Sequence, residues 1–458
     1  MKFVRKIITP LAILLASHAF AEPDTLKADS AKTDSVKAEI IKDFRKMGSN
    51  YYANPAPAAK YTAPPAGYRP FYLSHYGRHG SRFHQPADHY HELYRTLARA
   101  DSLGKLTDLG KSLLERANFL DGYAAPRAGD LTQLGAQQHQ GIAKRMVKNF
   151  PELFRNGSRV EAYASTSTRC VVSMAAFLEE LRAQRPALDI HQESGKSLMA
   201  FISPLDFGKI IAESNTPAWQ AENAKLYSHV DPARMMRAIF SDSAYAAAID
   251  AGELYSRIYE IGNSLQGSPE IDFSFDDLWT AEELYGRWRA QNAWWYSVLG
   301  NHPFAQKQGL ENARPLLKNI IEIADKVIAA DTAVSDKSAI RASKKAPKTT
   351  ATLRFGHDTV ILPLAALLQL EIAGTETADM ENLHKVWRDY EIIPMGANAQ
   401  LVFYKSAKKG SPVLVKLLYN EKEQRLPVTC EAKCPAAPYY RWEDFRAHYG
   451  KIANAKQE

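Results

Sequence analysis

The sequence predicts an α/β protein: a sheet domain with functional loops at its strand ends, and a mostly α-helical domain inserted into it. Two observations carry this expectation. Strand, loop and helix follow one another at residues 160–184 and again around Gly356, the order that builds a parallel sheet covered by helices. Between about 203 and 330 no strand pattern persists, and Trp279, Leu284, Trp288, Trp294, Trp295 and Val298 recur instead at helical spacing. A chain of 458 residues is long enough for two such units.

The elements follow in chain order. Lys2, Arg5 and Lys6, an apolar stretch over 7–16, and Ala19-Phe20-Ala21 form a signal-peptide pattern, with cleavage expected after Ala21. Its apolar part is too short to span a bilayer as a helix, so export to a bacterial periplasm or beyond is expected. No later segment is apolar enough to cross a membrane. Residues 22–66 read as an N-terminal tether and lead-in. The composition to about Asn50 is solvated and charged, with one late helix over 36–47, and Pro55, Pro57, Pro64, Pro65 and Pro70 then keep the chain extended. The α/β domain is assigned to 67–202 and 345–458, and the helical domain to 203–344. After His79 the chain reads as helical through Asp121, broken at Gly104 and Gly110. Residues 134–150 read as a helix, 160–164 as a strand and 169–184 as the helix that it feeds. The tryptophan stripe reads as a helical core rather than a platform for a ligand ring. Residues 333–350, rich in Ser, Lys, Thr and Ala, read as an exposed polar loop whose Lys344, Lys345 and Lys348 lie near His357 in sequence.

The run Gly77-Arg78-His79-Gly80-Ser81-Arg82 carries the first chemistry. Each guanidinium offers a planar fork that matches phosphate oxygens. A phosphate held that way presents its phosphorus to the imidazole between the arginines, which then acts as a covalent nucleophile. The glycines let backbone N–H groups approach the anion. Taken alone, the run also reads as a charged surface loop. Near the other end, Thr352-Leu353-Arg354-Phe355-Gly356-His357-Asp358-Thr359 reads as a strand turning into an apolar helix. His357 and Asp358 therefore stand at a strand's carboxyl end and a helix's amino end, where anions collect. A carboxyl group beside a bound phosphate has its pKa raised and keeps a proton for donation. Alone, Gly-His-Asp is an ordinary helix cap. Beside the first motif it becomes a candidate acid.

Together these residues resemble the histidine acid phosphatases, the two-domain clade of the histidine phosphatases. That family carries R-H-G-x-R near its start and H-D, or in some members H-A-E, near its end. Leu131-Thr132-Gln133-Leu134-Gly135 is similar to the family's L-T-x-x-G helix start. Ser165-Thr166-Ser167-Thr168-Arg169 is similar to its strand-end serine and downstream phosphate-binding arginine. The stretches 395–404 and 415–421 look most like the multiple inositol polyphosphate phosphatases. The resemblance spans about residues 66–445. It implies a phosphoglycerate-mutase-like sheet domain with the helical domain as a cap over the cleft. It also implies roles: His79 is phosphorylated, Arg78, Arg82, Arg169 and His357 hold the phosphoryl oxygens, and Asp358 protonates the leaving alcohol. The substrate implied is a small-molecule phosphate ester, with inositol polyphosphates such as phytate foremost, and no cofactor is implied. This chain has His357-Asp358 where the inositol polyphosphate branch often has H-A-E, which leaves positional specificity open. A general acid or sugar-phosphate phosphatase would use the same residues under a different cap. A phosphate-ester binding protein would hold the ester without multiple turnover.

Phosphoryl transfer needs positioned positive charge above all, and three arginines with a second histidine supply it without a metal. No metal site is legible. His84, His89 and His91 lie close together, but no carboxylate set of suitable spacing accompanies them, and they read as part of a helix after the phosphate loop. His75 reads as structural. The net charge of +7 falls to +4 once Lys2, Arg5 and Lys6 leave with the signal. That balance suits an anionic substrate but not a nucleic-acid reader. Cys430 and Cys434 are a disulfide candidate between Pro427 and Pro435, and Cys170 reads as a small buried residue. The oligomeric state is not legible.

Overall fold

The structure, a computed structural model, describes residues 35–53, 55–57, 60–204, 207–214, 216–303, 308–333, 348–430 and 435–455. The expected signal peptide, residues 334–347 of the polar loop and Cys434 of the disulfide candidate lie outside these residues.

Eight strands form one mixed sheet: β1 Tyr68–Arg78, β2 Ser158–Ala164, β3 Asp189–Ser194, β4 Lys348–Gly356, β5 Asn398–Ser406, β6 Leu414–Tyr419, β7 Lys422–Glu423 and β8 Tyr440–Arg441. The order is β3-β2-β4-β1-β5-β6-β7, with β8 paired to β6. β3, β2, β4 and β1 run parallel, and from β5 onward each strand is antiparallel to its neighbour. Both faces of the central strands are buried, which their side-chain alternation shows. In β5, Leu401 and Phe403 join the core formed with the helices Ala281–Leu299, Arg314–Ala333, Asp358–Leu367 and Trp442–Asn454. Val402 and Tyr404 join the opposite core, with the helices Gln133–Asn149 and Thr168–Gln184.

The helices Asp88–Ser102 and Asp108–Tyr123 form a core away from the sheet. Leu93, Leu97, Leu113 and Leu120 pack with Met235, Ile239, Leu254 and Ile258. The helical layer beside the sheet is thus built from two separate stretches of chain. The expected solvated tether fails at its end: Met47, Ser49, Asn50, Tyr51 and Tyr52 are all buried, on a 3-10 helix over Phe44–Tyr51. The polar loop ends earlier than expected, because β4 begins at Lys348. Lys348 sits at that strand's amino end and pairs with Asp331, remote from His357. No helix among the described residues is long and apolar enough to cross a membrane.

Candidate active site

Three neighbouring parallel strands end together and present the chemistry. β1 ends at Arg78, directly opposite Gly356 of β4, and Ala164 of β2 lies opposite Phe355. The chain ends are tied by backbone bonds: His79 N–H donates to Gly356 O at 2.9 Å, and Ser165 N–H to Phe355 O at 2.9 Å. His79, Arg82, Arg169, His357 and Asp358 line one cavity of about 510 Å³. Arg78 is fully buried and reaches Asp358 through Nη2 at 2.6 Å. All six site residues read from sequence therefore meet in one place.

The glycines of the two motifs pack against each other. A Cβ added at Gly80 would lie 2.6 Å from Gly135 Cα and 2.7 Å from its carbonyl carbon. Thr132 secures the same seam. Its Oγ1 caps the helix Gln133–Asn149 by accepting from Gly135 N–H at 3.2 Å, while its own N–H donates to Ser81 O at 2.8 Å. The L-T-x-x-G signature is a clasp on the loop that bears His79.

His79 is held in one tautomer. Its Nδ1 lies 2.9 Å from Gly80 O, and a carbonyl only accepts, so Nδ1 carries the proton and Nε2 keeps its lone pair. Burial, then Arg78, Arg169, Arg82 and His357, push this imidazole well below its ordinary range, so at neutral pH the ring is neutral. Around it, Arg78 Nε, Arg82 Nε and Arg169 Nε are buried without a hydrogen-bond partner, which is costly unless an anion completes them. His357 stands edge-on to His79, with ring centroids 5.8 Å apart. Its Nε2 meets Ser165 Oγ at 2.9 Å, and burial followed by Arg169 lowers its pKa to about 4.

Asp358 is held by Arg78. Burial pushes its carboxyl up, but Arg78, the Asn50 amide, Arg82 and His357 together outweigh that and hold it at about 2. It is thus a carboxylate bound to Arg78 and not a ready acid. Asn50 Nδ2 donates to Asp358 Oδ2 at 3.0 Å, and Asn50 O accepts from Arg78 Nη1 at 2.6 Å. Tyr51, next in the chain, bridges Arg82 Nη1 at 3.2 Å and His84 Nδ1 at 2.7 Å. Sequence reading missed both residues. Their only signal was the change from charged tether to the run Met47-Gly48-Ser49-Asn50-Tyr51-Tyr52.

The remaining candidates are also placed. His75 is buried between Phe177 and Phe355, a structural residue as expected. Cys170 is a free, buried thiol that donates to Gly356 O, and burial pushes it up to about 11. Of the tryptophan stripe, Trp288 is core, whereas Trp294 and Trp295 line the cavity. The three clustered histidines separate. His91 turns to Asp121, while His84 and His89 meet a carboxylate from far along the chain, Glu260. That corrects the expectation that no acid accompanies them.

Comparison with known proteins agrees with this geometry. The model of the histidine phosphatase superfamily (branch 2) matches residues 242–420, a stretch that includes His357 and Asp358. That stretch, less than half of the chain, is similar to the superfamily. Multiple inositol polyphosphate phosphatase 1 of Gallus gallus is 25% identical over 313 residues, 64% of this chain and 64% of the relative, so the match spans less than two thirds of that protein. The chain shares its fold with the Bifidobacterium longum multiple inositol polyphosphate phosphatase in complex with inositol hexasulfate. There the TM-score is 0.70 at 18% identity, covering 88% of this chain and 97% of that one. The phytase from D. castellii gives a TM-score of 0.63 at 14% identity, covering 91% and 86%.

Proposed function

We propose that this protein hydrolyses phosphate monoesters through a phosphohistidine, with inositol polyphosphates such as phytate as substrates. The observation that carries the reading is the fixed, unprotonated Nε2 of His79, buried among three arginines with unpartnered Nε groups. A phosphoryl group seated on those arginines and His357 places its phosphorus at Nε2. The nitrogen lone pair forms the P–N bond as the P–O bond to the alcohol breaks.

The leaving oxygen takes its proton from Asp358, and the substrate itself prepares that acid. A phosphoryl oxygen drawn to Arg78 competes for the guanidinium that holds Asp358 at 2.6 Å. Loss of that partner, and the negative charge arriving beside it, both raise the carboxyl pKa. Asp358 thus gains a proton as the ester binds. After the alcohol departs, the carboxylate takes a proton from water as its oxygen attacks phosphorus, the P–N bond breaks, and His79 is restored.

The inositol polyphosphate assignment is supported by the named relative and by the fold neighbours, and by a cavity large enough for more than one phosphoryl group. Export is supported by the basic, apolar and small-residue order of residues 1–21. The test is phosphate release from inositol hexakisphosphate and p-nitrophenyl phosphate, side by side, by the wild type and His79→Ala. Preference for the inositol ester, lost in the variant, is expected. Turnover that survives in His79→Ala would overturn the mechanism, and poor release from the inositol ester alone would overturn only the substrate assignment.

A further inference from the structure

His84 follows the phosphate loop, His89 stands in the first turn of the helix Asp88–Ser102, and Glu260 comes from the helix Ala251–Ser264. His84 Nε2 and His89 Nδ1 are 2.8 Å apart. Glu260 Oε2 is 3.4 Å from His89 Nδ1 and 3.7 Å from His84 Nε2. Three donor atoms therefore converge from two separate stretches of the chain. Two imidazole nitrogens this close share one proton, since neither two N–H groups nor two lone pairs tolerate that distance.

We propose that His84, His89 and Glu260 form a binding site for a divalent transition metal of the Zn²⁺ class, in the wall of the active-site cavity. The donor set is two imidazoles and one carboxylate, which suits Zn²⁺ and its neighbours and not Mg²⁺ or Ca²⁺. With Zn–N bonds of 2.0–2.1 Å, tetrahedral coordination sets ligand atoms about 3.3 Å apart. The two carboxylate distances already lie close to that, and the two nitrogens need to part by only about 0.5 Å. His89 has room to do so, because it sits at a helix start with 28% of its side chain exposed.

His84 is also held from its other side. A metal-bound imidazole is oriented by a hydrogen bond from its other ring nitrogen, and His84 Nδ1 lies 2.7 Å from Tyr51 Oη. Tyr51 in turn contacts Arg82, so the ion would be coupled through one hydroxyl to an arginine of the phosphate site. Three protein ligands leave one coordination position open, and His84 and Glu260 both line the cavity. As the metal binds, the shared proton moves to the other nitrogen of its own ring. The site stands whether or not the ester-hydrolysis reading holds.

The experiment uses the tag-free chain, freed of metal by a chelator and dialysed into phosphate-free buffer, titrated with ZnCl₂ by calorimetry in two buffers of different ionisation enthalpy. One saturable site is expected, with no comparable binding of MgCl₂. His89→Ala and Glu260→Gln should each weaken binding by at least about tenfold, while His79→Ala binds as the wild type does. Thermal melts of the metal-free variants establish that they fold. The absence of a saturable site in the wild type, or binding that persists in folded His89→Ala and Glu260→Gln, would overturn the proposal. So would binding lost in His79→Ala, which would move the ion to the catalytic histidines.

Discussion

Gly80→Ala adds one methyl group where the structure has no room for it. The new Cβ would stand 2.6 Å from Gly135 Cα and 2.7 Å from Gly135 C, with the carbonyl oxygen nearer still. Carbon atoms rest at about 3.5–4.0 Å, so loop and helix start must separate by about 1 Å. Neither side yields easily. Ser81 is tied to the helix start through Thr132 N–H, and His79 is tied to β4 and to Gly396 by its backbone. The displacement falls on His79 itself, which immediately precedes Gly80. A shift of about 1 Å at a reacting group costs on the order of 10²-fold in rate, and the overpacking costs about 1–3 kcal/mol. The assay is kcat/KM on p-nitrophenyl phosphate, with a urea midpoint from the same preparation. Gly135→Ala enters the seam from the other side, where its Cβ would lie 2.8 Å from Ser81 N, and should share both deficits. Gly122→Ala, with nothing within 4 Å of the new methyl, should leave kcat/KM unchanged and gain about 0.5–1 kcal/mol. A Gly80→Ala chain with wild-type kcat/KM would refute the clasp.

Three other outcomes follow from the same geometry. Asp358→Asn should slow hydrolysis of an alkyl phosphate by roughly 10²–10⁴-fold and that of p-nitrophenyl phosphate far less, because nitrophenolate leaves without a proton. Equal losses would remove Asp358 as the acid. Asn50→Ala deletes a hydrogen bond that favours the Asp358 carboxylate, so the carboxyl holds its proton to higher pH. The alkaline limb of the kcat profile should move upward, and an unmoved limb at lowered kcat would count against this role. His75 is neutral in the folded chain, its pKa lowered to about 3 by burial, then by His139 and Arg354. The unfolded chain binds a proton there below about 6.5, so stability is full above that pH and declines toward about 3, by about 1.4 kcal/mol per pH unit. His75→Leu should flatten that decline in urea midpoints taken between pH 7 and 4. Parallel slopes for the two chains would show that His75 contributes nothing.

One half of this candidate site was legible because its chemistry is local. Arg78, His79 and Arg82 occupy one loop, and His357 and Asp358 one turn, and glycine spacing alone marks where backbone must approach an anion. Their meeting followed from strand–loop–helix order, since parallel strands carry their loops to one edge. What remained hidden is non-local. Asn50 reaches Asp358 across 308 residues, and Tyr51 reaches His84 across 33. Glu260 stands on a helix whose own pattern marks it only as amphipathic. The helices after His79 were recognisable, but nothing in their periodicity says that they pack with residues 235–278. Periodicity reports that a face is buried, not which partner buries it.

The coupling of Arg78 to Asp358 offsets part of the positive charge gathered at this site. Arg78 is fully buried, and its Nη1 is spent on the carbonyls of Asn50 and Ile393. Removing one partner from a buried ion pair is far costlier than the pair itself. A bound phosphoryl group avoids that cost, because it supplies replacement negative charge to Arg78 at the moment Asp358 is neutralised by a proton. The total charge of the buried site changes less than the arrival of a dianion alone would require. The same exchange makes acid activation conditional on substrate. A small inorganic anion seated on the arginines should therefore raise the Asp358 pKa as an ester does, and inhibit with a pH dependence that tracks its own uptake of one proton.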